Sequence, residues 1–267
     1  MLIVYILFYQ ITSLYAQDSS IELGSMDSVT HKKTFIVPFE PNLYASDMDL
    51  EIGRYNQLNQ QKIVEKFRIS LDRALENTIQ LKNETHSVLH DETSASENEL
   101  IEIYSGITFV YTPVKRTTTR KDKLISTLVP PKKTPKKEAG LKNGEVYAVR
   151  DTIERYMKTV VVDSTLLQKL YEKNRSENFL FVNQLELKNS FQDVMQLQND
   201  TYERELRVHY SILDKTGNEL VGGIAKCKFA NNVLNINQII SNSFPCAAKQ
   251  IAASLEGYER SLVIKEK

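Results

Sequence analysis

Much of what marks an enzyme is missing from this chain of 267 residues. No glycine-rich loop is present to cradle a phosphate; Gly222-Gly223 lies inside a strand pattern, where it suits a bulge or close packing. Serines are plentiful, yet no nucleophile-elbow pattern occurs among them. Histidines number only four and cysteines two. Beyond the first sixteen residues no stretch is long or apolar enough to span a bilayer. Basic and acidic residues stand at 34 each, so the formal net charge is zero. Size and composition suit one globular domain with a sizeable core and some irregular sequence.

What is present is strand and helix patterning in quick succession. Val160, Val161 and Val162 read as a strand covered on both faces. Asp163 or Ser164 offers a cap oxygen to a helix whose apolar face holds Leu166, Leu167, Leu170 and Tyr171. A strand follows from Phe179, with Phe179, Phe181, Asn183, Leu185 and Leu187 on one face. This order predicts two parallel strands joined by a right-handed crossover. Next, Leu206, Val208, Tyr210 and Ile212 alternate with Arg207, His209 and Ser211, reading as a half-exposed antiparallel strand. The turn Asp214-Lys215-Thr216-Gly217-Asn218 leads back into Leu220 to Phe229, whose apolar face holds Val221, Ala225, Cys227 and Phe229. A last helix is predicted to start near Ser243 to Pro245, with Phe244, Ala247, Ala248, Ile251 and Leu255 on its buried stripe.

Upstream, Phe35-Ile36-Val37 is a short buried strand ended by Pro38-Phe39. After a helix approach at Ser46 to Asp49, a long amphipathic helix carries Ile63, Val64, Phe67, Leu71, Ala74 and Leu75. Asn83 to Asn98 reads as a polar loop. Ile101 to Thr112 returns to strand chemistry around Gly106 and is expected to pair with Val146 to Val149. The fold class expected is α/β (α+β): a single mixed sheet, with parallel and antiparallel strands, packed by two to three helices.

The ends and one internal stretch differ in character. Residues 1–16 read as a signal peptide, apolar from Met1 to Phe8 with a cleavage point after Ala16, though without a Lys or Arg in front. No cysteine follows that point, so no lipoprotein anchor is expected. Residues 17–32 read as a flexible amino-terminal segment and 261–267 as a tail. The domain is expected in two parts, 33–112 and 146–260, flanking a basic insertion at 113–145. That insertion carries ten Lys or Arg against three acids, with four prolines. Its charge suits a solvated linker or attraction to an anionic surface; without an aromatic residue it offers no stacking platform for nucleic-acid bases.

The order of these elements resembles the periplasmic α/β domain shared by the TolB amino-terminal part, the curli secretion channel protein and the lipoprotein activator of penicillin-binding proteins. It rests on the strand ending Pro38-Phe39, the long helix, the Val160 to Asp163 strand, the Leu-Leu helix, the Gly-turn hairpin and the Ala-rich last helix. Pro38-Phe39-Glu40-Pro41-Asn42-Leu43-Tyr44 and Phe181-Val182-Asn183-Gln184 are similar to stretches of uncharacterised secreted proteins of Bacteroidetes. The resemblance covers about two thirds of the chain after residue 16 and lies at the level of topology. It implies a domain used for protein contacts in the cell envelope, and brings no catalytic residues with it.

Individual residues read more plainly as structure than as chemistry. His86 and His90, with Asp91 and Glu92, have a spacing that puts both rings on one helix face, yet lack the glutamate that follows the first histidine in zinc proteases. A polar helix end explains them. His209 is expected on an exposed strand face, and His31 lies in a polar tail. Asp47 and Asp49 are expected to cap the next helix rather than hold a cation. Cys227 points to the core, whereas Cys246 falls opposite the apolar stripe of its helix, so two independent thiols are expected. Asn183 sits among apolar residues, where its amide is expected to tie a neighbouring strand or loop. No catalytic, cofactor-binding or metal residue is assigned, and no cofactor. The expectation is an exported, non-enzymatic module that binds an envelope protein, without a transmembrane segment in the mature chain and without a specific nucleic acid. The alternatives are a metal-dependent hydrolase and adhesion to an anionic surface through the insertion.

Overall fold

Phe35, Ile36 and Val37 are fully buried on an interior strand of the sheet. The computed structural model describes residues 32–90, 94–114, 140–142, 145–147, 153–191 and 202–265. In chain order the elements are β1 (Thr34–Val37), β2 (Tyr44–Ser46), α1 (Asp49–Asn56), α2 (Gln60–Ile79), β3 (Thr85–Ser87), α3 (Ser94–Ser105) and β4 (Ile107–Pro113). Then follow β5 (Gly140–Lys142), β6 (Glu145–Tyr147), β7 (Arg155–Val161), α4 (Leu166–Asn174), β8 (Asn178–Ser190), β9 (Glu203–Asp214), β10 (Glu219–Ala230) and α5 (Ile236–Lys265). The signal segment, the amino-terminal segment up to His31, Asp91, Glu92, most of the basic insertion and the last two residues lie outside the described residues, whereas residues 261–265, expected as a tail, continue α5.

The fold is α/β with a mixed sheet, ordered β10-β9-β8-β1-β3, and β2 also pairs β8. β1 runs parallel to both β3 and β8, and β9 runs antiparallel to both β8 and β10. β1 and β2 lie one after the other along β8, meeting Asn178 to Phe181 and then Leu185 to Leu187. Between them Pro38 withholds an amide from the ladder, and a 3-10 turn at Pro41–Leu43 carries the chain outward. More helices flank the sheet than the sequence predicted, and it is not the only sheet: β4 with β7, and β5 with β6, form separate antiparallel ribbons.

One face of the sheet is apolar along its length. Ile36, Leu180, Val182, Leu185, Leu187, Leu206, Val208 and Ile212 meet Ile52 of α1, Phe67 and Leu71 of α2, and Phe244, Ala247 and Ile251 of α5. The predicted stripe on α2 is the one it buries. Phe67 packs edge-on against Phe244 with ring centroids 5.5 Å apart. The other face is apolar at only one end, where Phe35, Phe179 and Phe181 meet Ile103 of α3 and Leu166, Leu167 and Leu170 of α4.

β8 departs from the predicted alternation. Its register on β9 slips between Val182 and Gln184, leaving Asn183 as the extra residue of a bulge. One added residue inverts the phase, because the side-chain period is two. Leu185 and Leu187 therefore join Leu180 and Val182, not Phe179 and Phe181.

Several other expectations are corrected. β7 is not beside β8 in the sheet; it pairs antiparallel with β4, and Val160 and Val162 are exposed rather than covered on both faces. The strand-helix-strand unit therefore holds no parallel pair. Antiparallel pairing across the insertion does occur, but β4 meets Arg155 to Val161, and Val146 belongs to β6, which pairs β5. Ile101 to Ser105 is the end of α3, and Asn83 to Asn98 holds β3 and the start of that helix rather than a loop.

α5 begins seven residues before Ser243, where the Asn235 side chain accepts from the amides of Asn237 and Gln238. Pro245 sits inside the helix, not at its start. The earlier start reveals a second buried row, Ile236, Ile239 and Ser243, which continues by steps of three and four to Cys246 and Gln250. That row faces β10. Cys246 is disulfide-bonded to Cys227 with Cα atoms 6.2 Å apart, so the cysteines are not independent thiols. Gln250 reinforces the contact, donating to the Lys226 carbonyl and accepting from its amide. A cross-link over a separation of 19 residues is worth about 3 kcal/mol by the chain-entropy relation.

Candidate functional site

An open groove of about 790 Å³ lies between the Pro41 to Tyr44 segment, α2 and α3. The segments that build it follow the carboxyl ends of the parallel strands β1 and β3, the usual place for ligands in an open α/β sheet. Val64 and Ile69 of α2, Leu89 and Leu100 supply apolar lining; Asn42, Gln61, Glu65 and Glu97 supply polar lining. Helical spacing on α2 aligns Gln61, Glu65 and Arg68 along the groove. Pro41, Asn42 and Tyr44 come from the sequence stretch that the resemblance singled out.

The guanidinium and the phenols here are tied to the fold. Arg68 donates from Nε to the Phe39 carbonyl at 2.9 Å and from Nη2 to the Tyr104 hydroxyl at 2.9 Å. Tyr104 in turn donates to the Pro38 carbonyl at 2.8 Å, and burial pushes its phenol up to about 12. Tyr44 donates to Asp49 Oδ1 at 2.5 Å; burial and that carboxylate raise its phenol too. One helical turn beyond Arg68, Asp72 is buried against β3. Its Oδ2 accepts from Ser87 at 2.6 Å while Oδ1 has no partner among the described residues, and burial drives its carboxyl up to about 7.

A second polar cluster lies on the half-polar face of the sheet, under β7. Met157 donates its amide to His209 Nδ1 at 2.9 Å, and its carbonyl accepts from Asn183 Nδ2 at 2.7 Å. Thr159 donates its amide to Ser211 Oγ at 3.1 Å and its hydroxyl to Asn183 Oδ1 at 2.5 Å. Asn183 Nδ2 also reaches Ser211 Oγ at 3.0 Å. Asn183 thus ties the neighbouring strand, as a buried amide must find partners. The β7 edge is held by side chains where a further strand would otherwise supply a ladder. His209 is buried, not exposed, because the ribbon covers the face that alternation marks as solvated. Since Nδ1 accepts from an amide, the ring proton sits on Nε2, facing Glu186 Oε2 at 3.4 Å. Burial pushes the Glu186 carboxyl up, but His209 and Lys188 outweigh it and bring it down to about 2.

β7 also leans on β10. Tyr156 donates to Glu219 Oε1 at 2.8 Å, and Lys158 pairs with Glu219 at 2.9 Å. A Cβ on Gly222 would lie 2.7 Å from the Tyr156 ring, so that glycine serves close packing, whereas a Cβ on Gly223 would meet nothing nearer than 3.7 Å. The β10 register slip lies earlier, between Glu219 and Val221.

The other singled-out residues fall as follows. His86 is on β3, not a helix; its ring packs beside Phe35 and His90, and His90 Nδ1 lies 3.2 Å from Glu76 Oε1. Among the described residues no group of three or more His, Cys, Asp or Glu is placed to hold a metal ion. Neither Asp47 nor Asp49 caps α1, whose cap residue is Met48; Asp47 Oδ2 instead accepts from the Asn189 amide at 3.1 Å. Asp163 accepts from the Thr165 amide just ahead of α4, for which Thr165 is the cap residue. Among the described residues no helix is long and apolar enough to cross a membrane. Alternation alone hides the cluster under β7, since its members look like a solvated face; the polar run Asn183-Gln184 inside an apolar strand was the available signal.

Comparison with protein-family models, with curated proteins and with solved structures finds no match to this chain in any of the three.

Proposed function

We propose that the protein is an exported, non-enzymatic interaction module of the bacterial cell envelope, which supports assembly or secretion through protein contacts. The observation that carries this reading is the groove between the Pro41 to Tyr44 segment, α2 and α3. Its lining mixes apolar, amide and carboxylate side chains, and its guanidinium is already committed to the Phe39 carbonyl and Tyr104. Such a surface suits recognition of a polypeptide segment better than proton or group transfer. The Cys227–Cys246 disulfide agrees with an oxidising compartment outside the cytoplasm.

Photo-crosslinking from position 61 in the full chain, in its own cells, tests this reading. A discrete protein adduct in the envelope fraction is expected, and it should fall at least ten-fold with Val64→Lys in the same chain. Diffuse labelling that Val64→Lys leaves unchanged would overturn the groove. Recovery of the chain from the cytoplasm with reduced cysteines would overturn export. Stoichiometric metal in the purified protein, with hydrolysis that a chelator abolishes, would overturn the non-enzymatic reading.

A further inference from the structure

We infer that the groove between the Pro41 to Tyr44 segment, α2 and α3 takes up a polypeptide segment in which an aliphatic side chain is flanked by lysine or arginine. This rests on the interaction-module reading and names the chemistry of its partner.

The floor and the rim of the groove select different parts of such a segment. Val64 of α2 and Leu89, just after β3, pack partly on the two hydrophobic cores and also line the groove. Leu100 of α3, itself buried, completes this floor. An apolar floor admits an aliphatic side chain and disfavours a charge, which would lose its water there. Asn42, Glu65 and Glu97 are exposed around it. An apolar centre inside a polar rim is the usual build of a protein contact surface.

The charge of the rim is negative and unmatched. Among the described residues neither Glu65 nor Glu97 makes a hydrogen bond or an ion pair, and Lys62, one turn before Glu65, makes no ion pair with it. A third carboxylate, Glu40, accepts from the Asn42 side-chain amide at 3.3 Å and so stands at the Pro41 end. The Arg68 guanidinium is held by the Phe39 carbonyl and the Tyr104 hydroxyl. The far side of α3 shows what the groove lacks. There Glu99 pairs with Lys173 and Glu102 with Lys169, both lysines coming from α4. Where α3 meets α4 each acid has its lysine; where α3 faces α2 across the groove, an incoming chain supplies it. Complementary charge of this kind selects and orients a partner more than it adds affinity.

The test uses the full chain and a labelled peptide of alternating leucine and lysine, read by fluorescence anisotropy at low and high salt. Saturable binding is expected, weaker at high salt and at least ten-fold weaker when glutamates replace the lysines. Glu65→Gln with Glu97→Gln should lower the affinity about five-fold, as the loss of two exposed ion pairs would, and flatten the salt dependence. Glu172→Gln with Glu177→Gln removes the same charge from α4 and the turn after it, and should change nothing. None of these four side chains is buried, so matched melting curves are expected. Equal binding of the glutamate peptide would overturn the basic partner. An equal loss in the Glu172 and Glu177 variant would reduce the effect to net charge and overturn the groove as its site. A dimer of the chain that Val64→Lys dissociates would overturn the inference in favour of a second copy. Absent binding of the lysine peptide, with the position-61 adduct intact, would sink this inference and leave the proposed function standing; loss of both would sink both.

Discussion

The two faces of the sheet are built by different means. Under α1, α2 and α5 the contact is apolar throughout and depends on shape. Under β7 it is a set of directional bonds among Asn183, His209, Ser211, Thr159 and the Met157 backbone. Shape complementarity is lost in proportion to the volume removed. A satisfied polar network instead fails at once when one member leaves its partners bare. The bulge at Asn183 lets one strand serve both faces, since it moves Leu185 and Leu187 onto the apolar side and frees Gln184 and Glu186 for the polar one.

The largest effect is expected from Phe67→Ala, which empties the contact between α2 and α5; chemical denaturation should show a loss of about 4 kcal/mol. Asn183→Leu keeps the volume but strands the Met157 carbonyl and the Thr159 hydroxyl and removes one of two donors to Ser211, and should cost about 2–3 kcal/mol. Its loss should appear first as faster hydrogen exchange at Met157 and Thr159, ahead of any change in α2. Equal exchange throughout would show that the two faces are one cooperative unit. Gly222→Ala forces Tyr156 aside and should cost about 1–2 kcal/mol, whereas Gly223→Ala should leave the melting curve in place.

The smallest expected effect is pH-dependent and lies where α2 meets β3. Asp72 holds its proton more tightly folded than unfolded, with its carboxyl raised from 3.8 to about 7. That environment costs nothing below the ordinary value, and the cost grows as pH rises towards about 7. Asp72→Asn should therefore stabilise the protein by about 1 kcal/mol at pH 8 and leave it unchanged at pH 4. A gain that is largest at pH 4 would mean that the buried carboxyl is ionised and paired.

How legible these features were differs by cause. The α2 stripe, the Leu166 to Leu170 helix and the Gly217 hairpin could be read directly, since each depends on local periodicity or on one backbone angle, such as the positive φ of Gly217. The bulge could not, because alternation counts residues and an inserted one shifts the count unseen. The disulfide was missed because Pro245 looked like a helix start, which hid the row from Ile236 to Cys246. His209 and Ser211 read as solvated because their cover, β7, pairs with β4 rather than with the sheet. The Pro41 to Tyr44 side of the groove was visible as a motif, but the partners α2 and α3 come from distant sequence.

Side-chain docking of β7 also has a mechanical meaning. The chain between β4 and β7 leaves and returns at one end of the ribbon, where Val114 donates its amide to the Glu154 carbonyl. Tension on that connecting chain pulls the two strands apart from that end, and a strand pair loaded in this direction yields one bond at a time. The sheet beneath feels the load through side chains, among them Asn183, His209, Ser211 and Glu219. The ribbon would act as a fuse, giving way under strain while the six strands and the disulfide-stapled helix behind them stay intact.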